Sequence, residues 1–184
     1  HENVAEFDFV SMYPAMMGQH NISPETVNCP CCPDAEPVPE IGHRLCTRRQ
    51  GLIPKVLAPI LEKRARYKVL SKDESGIPNP ESRAVYKRRA AAHKWILVTC
   101  FGYLGFKNAR FGKIEAHECV TAWGRESLLR AKNAAERRGH RILHALVDAL
   151  WVVIGDARPQ ALEALRLAIE KEAGCPLALE GLYK

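Results

Sequence analysis

Residues 141–154 read Arg-Ile-Leu-His-Ala-Leu-Val-Asp-Ala-Leu-Trp-Val-Val-Ile. Two apolar runs, Arg141 to Leu146 and Leu150 to Ile154, flank Val147-Asp148-Ala149, which predicts a β-hairpin with an acidic residue at its tip. Far upstream, Val4-Ala5-Glu6-Phe7-Asp8-Phe9-Val10 is short, apolar and aromatic, and carries Asp8 near its end. It predicts a buried strand. A carboxylate inside such a segment is costly unless it is paired or bound to a cation. If strand and hairpin are neighbours in one sheet, Asp8 and Asp148 converge on a common edge. Paired carboxylates suit Mg²⁺, and two such ions suit phosphoryl transfer. The plainer reading makes Asp8 a cap for the helix that follows and Asp148 an ordinary turn residue.

Between these segments the pattern is helical. Pro14 suits the first turn of a short helix from Ala15 to Gln19. Residues 21–51 hold loop composition, rich in Pro and Cys, with no internal period. A helix is expected from about Pro54 to Leu70, with Val56, Leu57, Ile60 and Leu61 on one face and a kink at Pro59. Ser71 to Pro80 reads as a polar tip, and a second helix runs from about Glu81 to Thr99. A short connection makes the two an antiparallel, strongly basic hairpin. Glu115 to Arg138 gives a long helix, and Pro159 to Ala173 a last one, with Pro at its start and Gly174 after its end. The order is strand, helical hairpin, long helix, β-hairpin, helix: an α+β fold with a small antiparallel sheet backed by helices.

Composition narrows the function classes. The 184 residues are 47% hydrophobic and 26% charged, with a formal net charge of +6, which is the profile of a globular domain rather than a disordered or fibrous chain. No run of about 18 apolar residues offers a membrane span. The opening residues already read as a strand entering a core, so a piece of a longer chain is expected. Lys63, Arg64, Arg66, Lys68, Lys72, Arg83, Lys87, Arg88 and Arg89 concentrate positive charge on the helical hairpin, which suits a polyanionic partner.

These segments carry a family resemblance. Asp8-Phe9-Val10-Ser11-Met12-Tyr13-Pro14-Ala15-Met16-Met17, with His20-Asn21-Ile22-Ser23-Pro24 after it, resembles the first polymerase motif of family B DNA polymerases. Gly51-Leu52-Ile53-Pro54 with Leu61-Glu62-Lys63-Arg64 resembles the start of the fingers in that family. Arg89, Lys94 and Phe101-Gly102-Tyr103-Leu104-Gly105 resemble its second motif. Cys119 to Arg125 resembles the following helix, and Leu177 to Lys184 the approach to the thumb. The style is closest to archaeal-type members. The resemblance implies palm for residues 1–50 and 102–184, and fingers for 51–101. It implies catalytic Asp8 and Asp148, with Asp8, Asp148 and the main chain at Phe9 binding Mg²⁺ or Mn²⁺. Ser11, Met12, Tyr13, Arg64, Lys68, Arg89 and Lys94 would bind the nucleotide, Tyr13 lying under the incoming sugar and excluding a 2′-hydroxyl. Primer–template DNA and deoxynucleoside triphosphates are the implied partners, with a sliding clamp or other replication proteins reached through parts outside these residues. The implied location is cytoplasmic and nucleoid-associated.

Departures from the family pattern leave a second reading open. The third motif of the family carries two Asp separated by one residue, and here Leu146 stands in place of the first. In the second motif, Val98, Thr99 and Phe101 stand where the family has Asn, Ser and Tyr. A working polymerase and a catalytically inactivated paralogue, acting as a DNA-binding or regulatory subunit in replication or repair, both fit.

The loop cysteines are a separate question. Cys29-Pro30-Cys31-Cys32, with His43 and Cys46, offers soft ligands for Zn²⁺, the expected set being Cys29, Cys32, His43 and Cys46. The family resemblance implies a disulfide between Cys32 and Cys46 as an alternative, and free thiols are the third reading. Cys100, Cys119 and Cys175, with Trp95, Trp123 and Trp151, are expected in the core, and His20, His93, His117, His140 and His144 in structural roles.

Overall fold

A computed structural model describes residues 3–72, 79–156 and 158–184. The expected polar tip at Ser71 to Pro80 therefore lies mostly outside the described residues. The chain divides into two compact units, His1–Met12 with Thr121–Lys184, and Tyr13–Val120. Among the described residues there are four strands and five helices.

The first unit is built on an antiparallel sheet of β1 (Val4–Phe9), β2 (Ile142–Leu146), β3 (Ala149–Val153) and β4 (Leu177–Tyr183), in the order β2-β3-β1-β4. Side chains alternate across a strand, so Ala5, Phe7 and Phe9 of β1 share one face, and all three are buried with Leu150 and Val152. Helix α5 (Pro159–Ala173) contributes Leu162, Leu165, Ile169 and Ala173 to the core, the spacing of a single helical face. Its expected ends hold: Pro159 opens it, and Gly174 closes it at a φ of 70°, a left-handed conformation that glycine adopts without steric cost. From Thr121 onward, α4 (Ile114–Glu136) buries Ala122, Ala131, Ala134 and Ala135 in the same unit.

One strand escapes sequence reading. Leu177 to Tyr183 forms β4 and pairs with β1 along its whole length, with a register shift between Glu6 and Phe7. Arg166 of α5 pins the start of β4, donating to the Leu177 carbonyl at 2.6 Å, while Glu170 accepts from the Leu177 amide at 2.9 Å.

In the second unit, α1 (Met12–Gln19) leads into the long loop 20–51, then α2 (Leu52–Leu70) and α3 (Pro80–Leu104). The start of α2 (Leu52, Val56, Leu57) lines one apolar groove with the end of α3 (Cys100, Tyr103, Leu104), while Tyr67 near the end of α2 meets Tyr86 and His93 of α3. The helices therefore run antiparallel. Asn79 caps α3 by accepting from the Glu81 amide at 2.8 Å. Several expectations shift. Pro59 lies inside α2 as expected, but of the expected apolar face Leu57 is buried, beside Pro54, while Val56 is exposed at the groove. Helix α3 runs past Thr99 to Leu104, because one Gly at position 102 costs only about 1 kcal/mol in a helix. Trp95 is 72% exposed rather than core, since Ala90, Leu97 and Leu104 form the seam of α3 on a different face. Of the expected core cysteines, Cys119 and Cys175 are fully buried and Cys100 half-buried.

Candidate active site

The sheet brings the two acidic residues together. β1 and β3 pair antiparallel with Asp8 opposite Ala149, and the next step of that ladder is a hydrogen bond from the Phe9 amide to the Asp148 carbonyl at 2.8 Å. Asp8 and Asp148 thus lie on adjacent strand ends at one edge, both half-buried. The Val10 amide donates to the Pro176 carbonyl at 2.8 Å, so the chain just after Asp8 is held from the other side as well. Ser11 then takes a φ of 54°, turning the strand sharply into α1.

Leu146 sits in the same row. It pairs with Ala149, which pairs with Asp8, and residues opposite one another in a ladder share a face. Leu146 is 54% exposed, so the position is open to water and needs no apolar side chain for folding. Val147, at the hairpin tip, has a φ of 54°, a region that β-branched residues seldom enter. The next row holds Glu6, Trp151 and His144, the last two rings 5.3 Å apart. Glu6 accepts a hydrogen bond from Tyr183 of β4, and that carboxylate raises the phenol's proton affinity above its ordinary value.

The second unit holds the residues expected to bind nucleotide, apart from Ser11 and Met12. The Tyr13 ring packs on Phe101 of α3 at 4.2 Å between centroids, and Phe101 stacks on His117 of α4 at 4.3 Å. Gly105 backs this column: a Cβ there would come within 2.7 Å of the His117 ring. Phe101, read from sequence as a lost hydroxyl, is therefore the middle ring of three. Arg89 lies 5.8 Å from the ring centres of both Tyr67 and Tyr86, a cation–π clamp that joins α2 to α3. Arg64 and Lys68 are half-buried one turn apart on α2, and Lys94 is exposed on α3. Sequence reasoning missed the aromatic partners of Arg89 because they are contributed by two helices. Their only signal was Tyr at 67 and 86, within the basic hairpin.

The loop cysteines gather differently from expectation. The sulfurs of Cys29, Cys31, Cys32 and Cys46 all lie within 4.8 Å of one another. His43 is elsewhere, with Nδ1 at 3.1 Å from the Asn28 amide and Nε2 at 3.3 Å from Glu118. Cys31 takes the place expected for His43. The Cys31 thiol is pushed up to about 12, first by hydrogen bonding to Cys29. Cys32 is drawn down to about 6, first by the Thr47 hydroxyl, and Cys46 is lowered by the Arg48 amide.

Comparison with known proteins matches this architecture. The model of DNA polymerase family B covers residues 1–157. The chain is 40% identical over 177 residues to DNA polymerase 2 of Saccharolobus solfataricus, covering 96% of this chain and 24% of the relative. It is 32% identical over 162 residues to DNA polymerase 1 of Pyrococcus abyssi, covering 88% and 21%. The solved structure of the family B DNA polymerase from the hyperthermophilic archaeon Pyrobaculum calidifontis superposes with a TM-score of 0.79 at 32% identity, over 100% of this chain and 24% of that one. The chain thus spans about a quarter of the length of these relatives. A first motif ending β1, a third motif on the β2–β3 hairpin and a match across most of the residues place this chain in DNA polymerase family B.

Proposed function

We propose that these residues are the palm (1–50 and 102–184) and fingers (51–101) of a DNA-directed DNA polymerase, which adds deoxynucleotides to a primer 3′-hydroxyl. The observation that carries this reading is the Phe9–Asp148 backbone hydrogen bond, which holds Asp8 and Asp148 on adjacent strand ends of one sheet. The donor set, Asp8, Asp148 and the Phe9 main chain, is all oxygen and fits a hard divalent cation. Asp8 and Asp148 would hold Mg²⁺ or Mn²⁺, with one carboxylate fewer than the family pattern because of Leu146. When bound, such an ion neutralises phosphate charge and makes the primer hydroxyl easier to deprotonate. The chain's own part is positioning. Main-chain groups at Ser11 and Met12 receive the triphosphate, Tyr13 borders the sugar, and Arg64, Lys68, Arg89 and Lys94 offset the charge that builds on the phosphates. The primer oxygen attacks the α-phosphorus and pyrophosphate leaves, the gain coming from orientation. This reading implies a cytoplasmic, nucleoid-associated protein with primer–template DNA, nucleotide and a sliding clamp as partners. No helix among the described residues is long and apolar enough to cross a membrane.

A second reading, an inactivated paralogue that binds DNA, is favoured by exposed Leu146 on the face of Asp8. Primer extension by the full-length parent in Mg²⁺ and in Mn²⁺, beside Asp8→Ala and Asp148→Ala, separates the two. Extension abolished by both substitutions supports the enzyme. Intact primer–template binding with no extension in either metal refutes it.

A further inference from the structure

The loop 20–51 contains no helix and only two isolated bridges, Val27 with Leu45 and Pro37 with Arg44. Loops of this length without structure of their own are uncommon unless something ties them. At its centre are four sulfurs from two strands of the loop, Cys29, Cys31 and Cys32 on one side and Cys46 on the other. Their separations are 3.2 Å for Cys29–Cys31, 3.5 Å for Cys31–Cys46, and 3.8 Å for both Cys31–Cys32 and Cys32–Cys46. A tetrahedral zinc with sulfur at about 2.3 Å requires sulfur–sulfur edges of about 3.8 Å. A multi-iron cluster interposes its own iron and sulfide between the thiolates and demands a wider spread. The observed set has the size of a single ion.

The surroundings are those of a thiolate site. The backbone amides of Arg48 and Arg49 are directed at the Cys46 sulfur, and the Thr47 amide and hydroxyl at that of Cys32, the hydroxyl at 3.6 Å. Such outer donors orient metal-bound sulfur and reduce its charge. A Cys32–Cys46 disulfide alone leaves Cys29 and Cys31 packed against it with no chemical reason for their presence.

We propose that Cys29, Cys31, Cys32 and Cys46 bind one Zn²⁺ as a tetrathiolate site that staples the loop and, through it, the first turn of α2. The link to α2 is Asn21, whose Nδ2 donates to the carbonyls of Cys46 (2.7 Å) and Arg49 (2.8 Å) and whose Oδ1 accepts from the Gly51 amide (2.7 Å). Ser23 and Glu25 accept from the amides of Ile53 and Leu52. The N-terminal amides of α2 are thus satisfied by loop side chains rather than by a cap of its own, and the loop is fixed at Cys46. The proposal concerns structure and is independent of whether the chain polymerises DNA.

The test begins with elemental analysis of the full-length parent, purified without chelator, and X-ray absorption at the zinc edge. One zinc per chain, surrounded by four sulfurs at about 2.3 Å and released by a mercurial reagent, is the expected result. Cys31→Ser should lose the metal and Cys175→Ser, outside the cluster, should keep it. If Cys31→Ser fails to fold, stoichiometry and the sulfur shell of the unmodified protein decide alone. Stripping the zinc should raise amide hydrogen exchange at Gly51, Leu52 and Ile53 at least tenfold while leaving β1 and β3 unchanged. A metal-free protein with a mapped Cys32–Cys46 disulfide, four free thiols without metal, a nitrogen ligand in the zinc shell, or unchanged exchange on stripping would each overturn the proposal.

Discussion

Replacing Phe101 by Ala should loosen Tyr13 and, on the proposed reading, weaken rejection of ribonucleotides. Phe101 makes two ring contacts, at 4.2 Å with Tyr13 and 4.3 Å with His117. Each such pair contributes about 0.5–1.5 kcal/mol beyond the area it buries, so the column loses about 1–3 kcal/mol. The Tyr13 pair accounts for about 1 kcal/mol, or roughly a fivefold drop in the population of the held ring position. The dNTP-over-rNTP ratio in single-turnover primer extension by the full-length parent should fall by a similar factor, with triphosphate binding as the readout if turnover is absent. Gly105→Ala perturbs the same column without deleting a ring, because its Cβ would stand 2.7 Å from His117 Cδ2. It should give a smaller fall in the same direction, and Phe101→Tyr, which keeps all three rings, almost none. Discrimination by Phe101→Ala equal to that of the unmodified protein would show that the column does not hold Tyr13.

Asn21 offers a separate check on the base of α2. It has a φ of 55° and makes three hydrogen bonds. Asn21→Ala should therefore lose the backbone preference, about 1–2 kcal/mol, and the bonds, about 0.5–1.5 kcal/mol each; Asn21→Gly should lose mainly the bonds. Hydrogen exchange at Gly51 to Ile53 measures both, and protection equal to the unmodified chain in either variant contradicts the bonding described. Acid should weaken the first unit. Glu172 accepts from Arg138 and Arg137, the Arg138 bond being the main reason its carboxyl is held below its ordinary 4.5, and Arg166 does the same for Glu163. A lowered folded-state pKa gives a contribution present above 4.5 and lost as pH falls through the depressed value. The unfolding midpoint should hold between about pH 7 and 5 and drop below that, and Glu172→Gln should shrink the drop; an unchanged profile in that variant refutes the assignment.

What the sequence displayed well were elements marked by local chemistry. Pro159 and Gly174 bracket α5 as expected, and the alternation around Asp148 announces the hairpin. β4 was hidden because Leu177 to Tyr183 is interrupted by Glu180 and Gly181 and becomes a strand only through its partner β1. The end of α3 was misplaced because Gly102 resembles a terminator, yet its position lacks any contact that would require the helix to stop. That Asp8 and Asp148 lie on adjacent strand ends was legible in part, since two acids in apolar strands invite a shared edge; which strands are neighbours was not. Tyr13, Phe101 and His117 are separated by up to 104 residues, 117 minus 13, and no periodicity links them. The zinc set was half legible: spacing picked out the loop, but choosing Cys31 over His43 depended on Asn28 and Glu118 occupying the imidazole.

On the proposed reading, the hairpin keeps the backbone of the site while Leu146 leaves it one carboxylate short. Leu146 is 54% exposed, so burial explains little of its presence: at about 25 cal/mol per Å², a side chain left half in water contributes about 1 kcal/mol at most. An acid would fold there as well. Val147 goes the other way, since a φ of 54° for a β-branched residue costs on the order of 1–2 kcal/mol that an ordinary turn residue such as Asn would avoid. The turn nevertheless delivers the Asp148 carbonyl to the Phe9 amide at 2.8 Å and so fixes Asp148 beside Asp8. A two-residue loop between the paired Leu146 and Ala149 requires a positive φ at its first position, so the conformation of Val147 follows from the length of the turn. On the proposed reading, the carboxylate missing at Leu146 weakens cation binding and leaves the placement of Asp8 and Asp148 unchanged. That is why the metal dependence of primer extension, more than its presence in one buffer, distinguishes a weakened polymerase from an inactive relative.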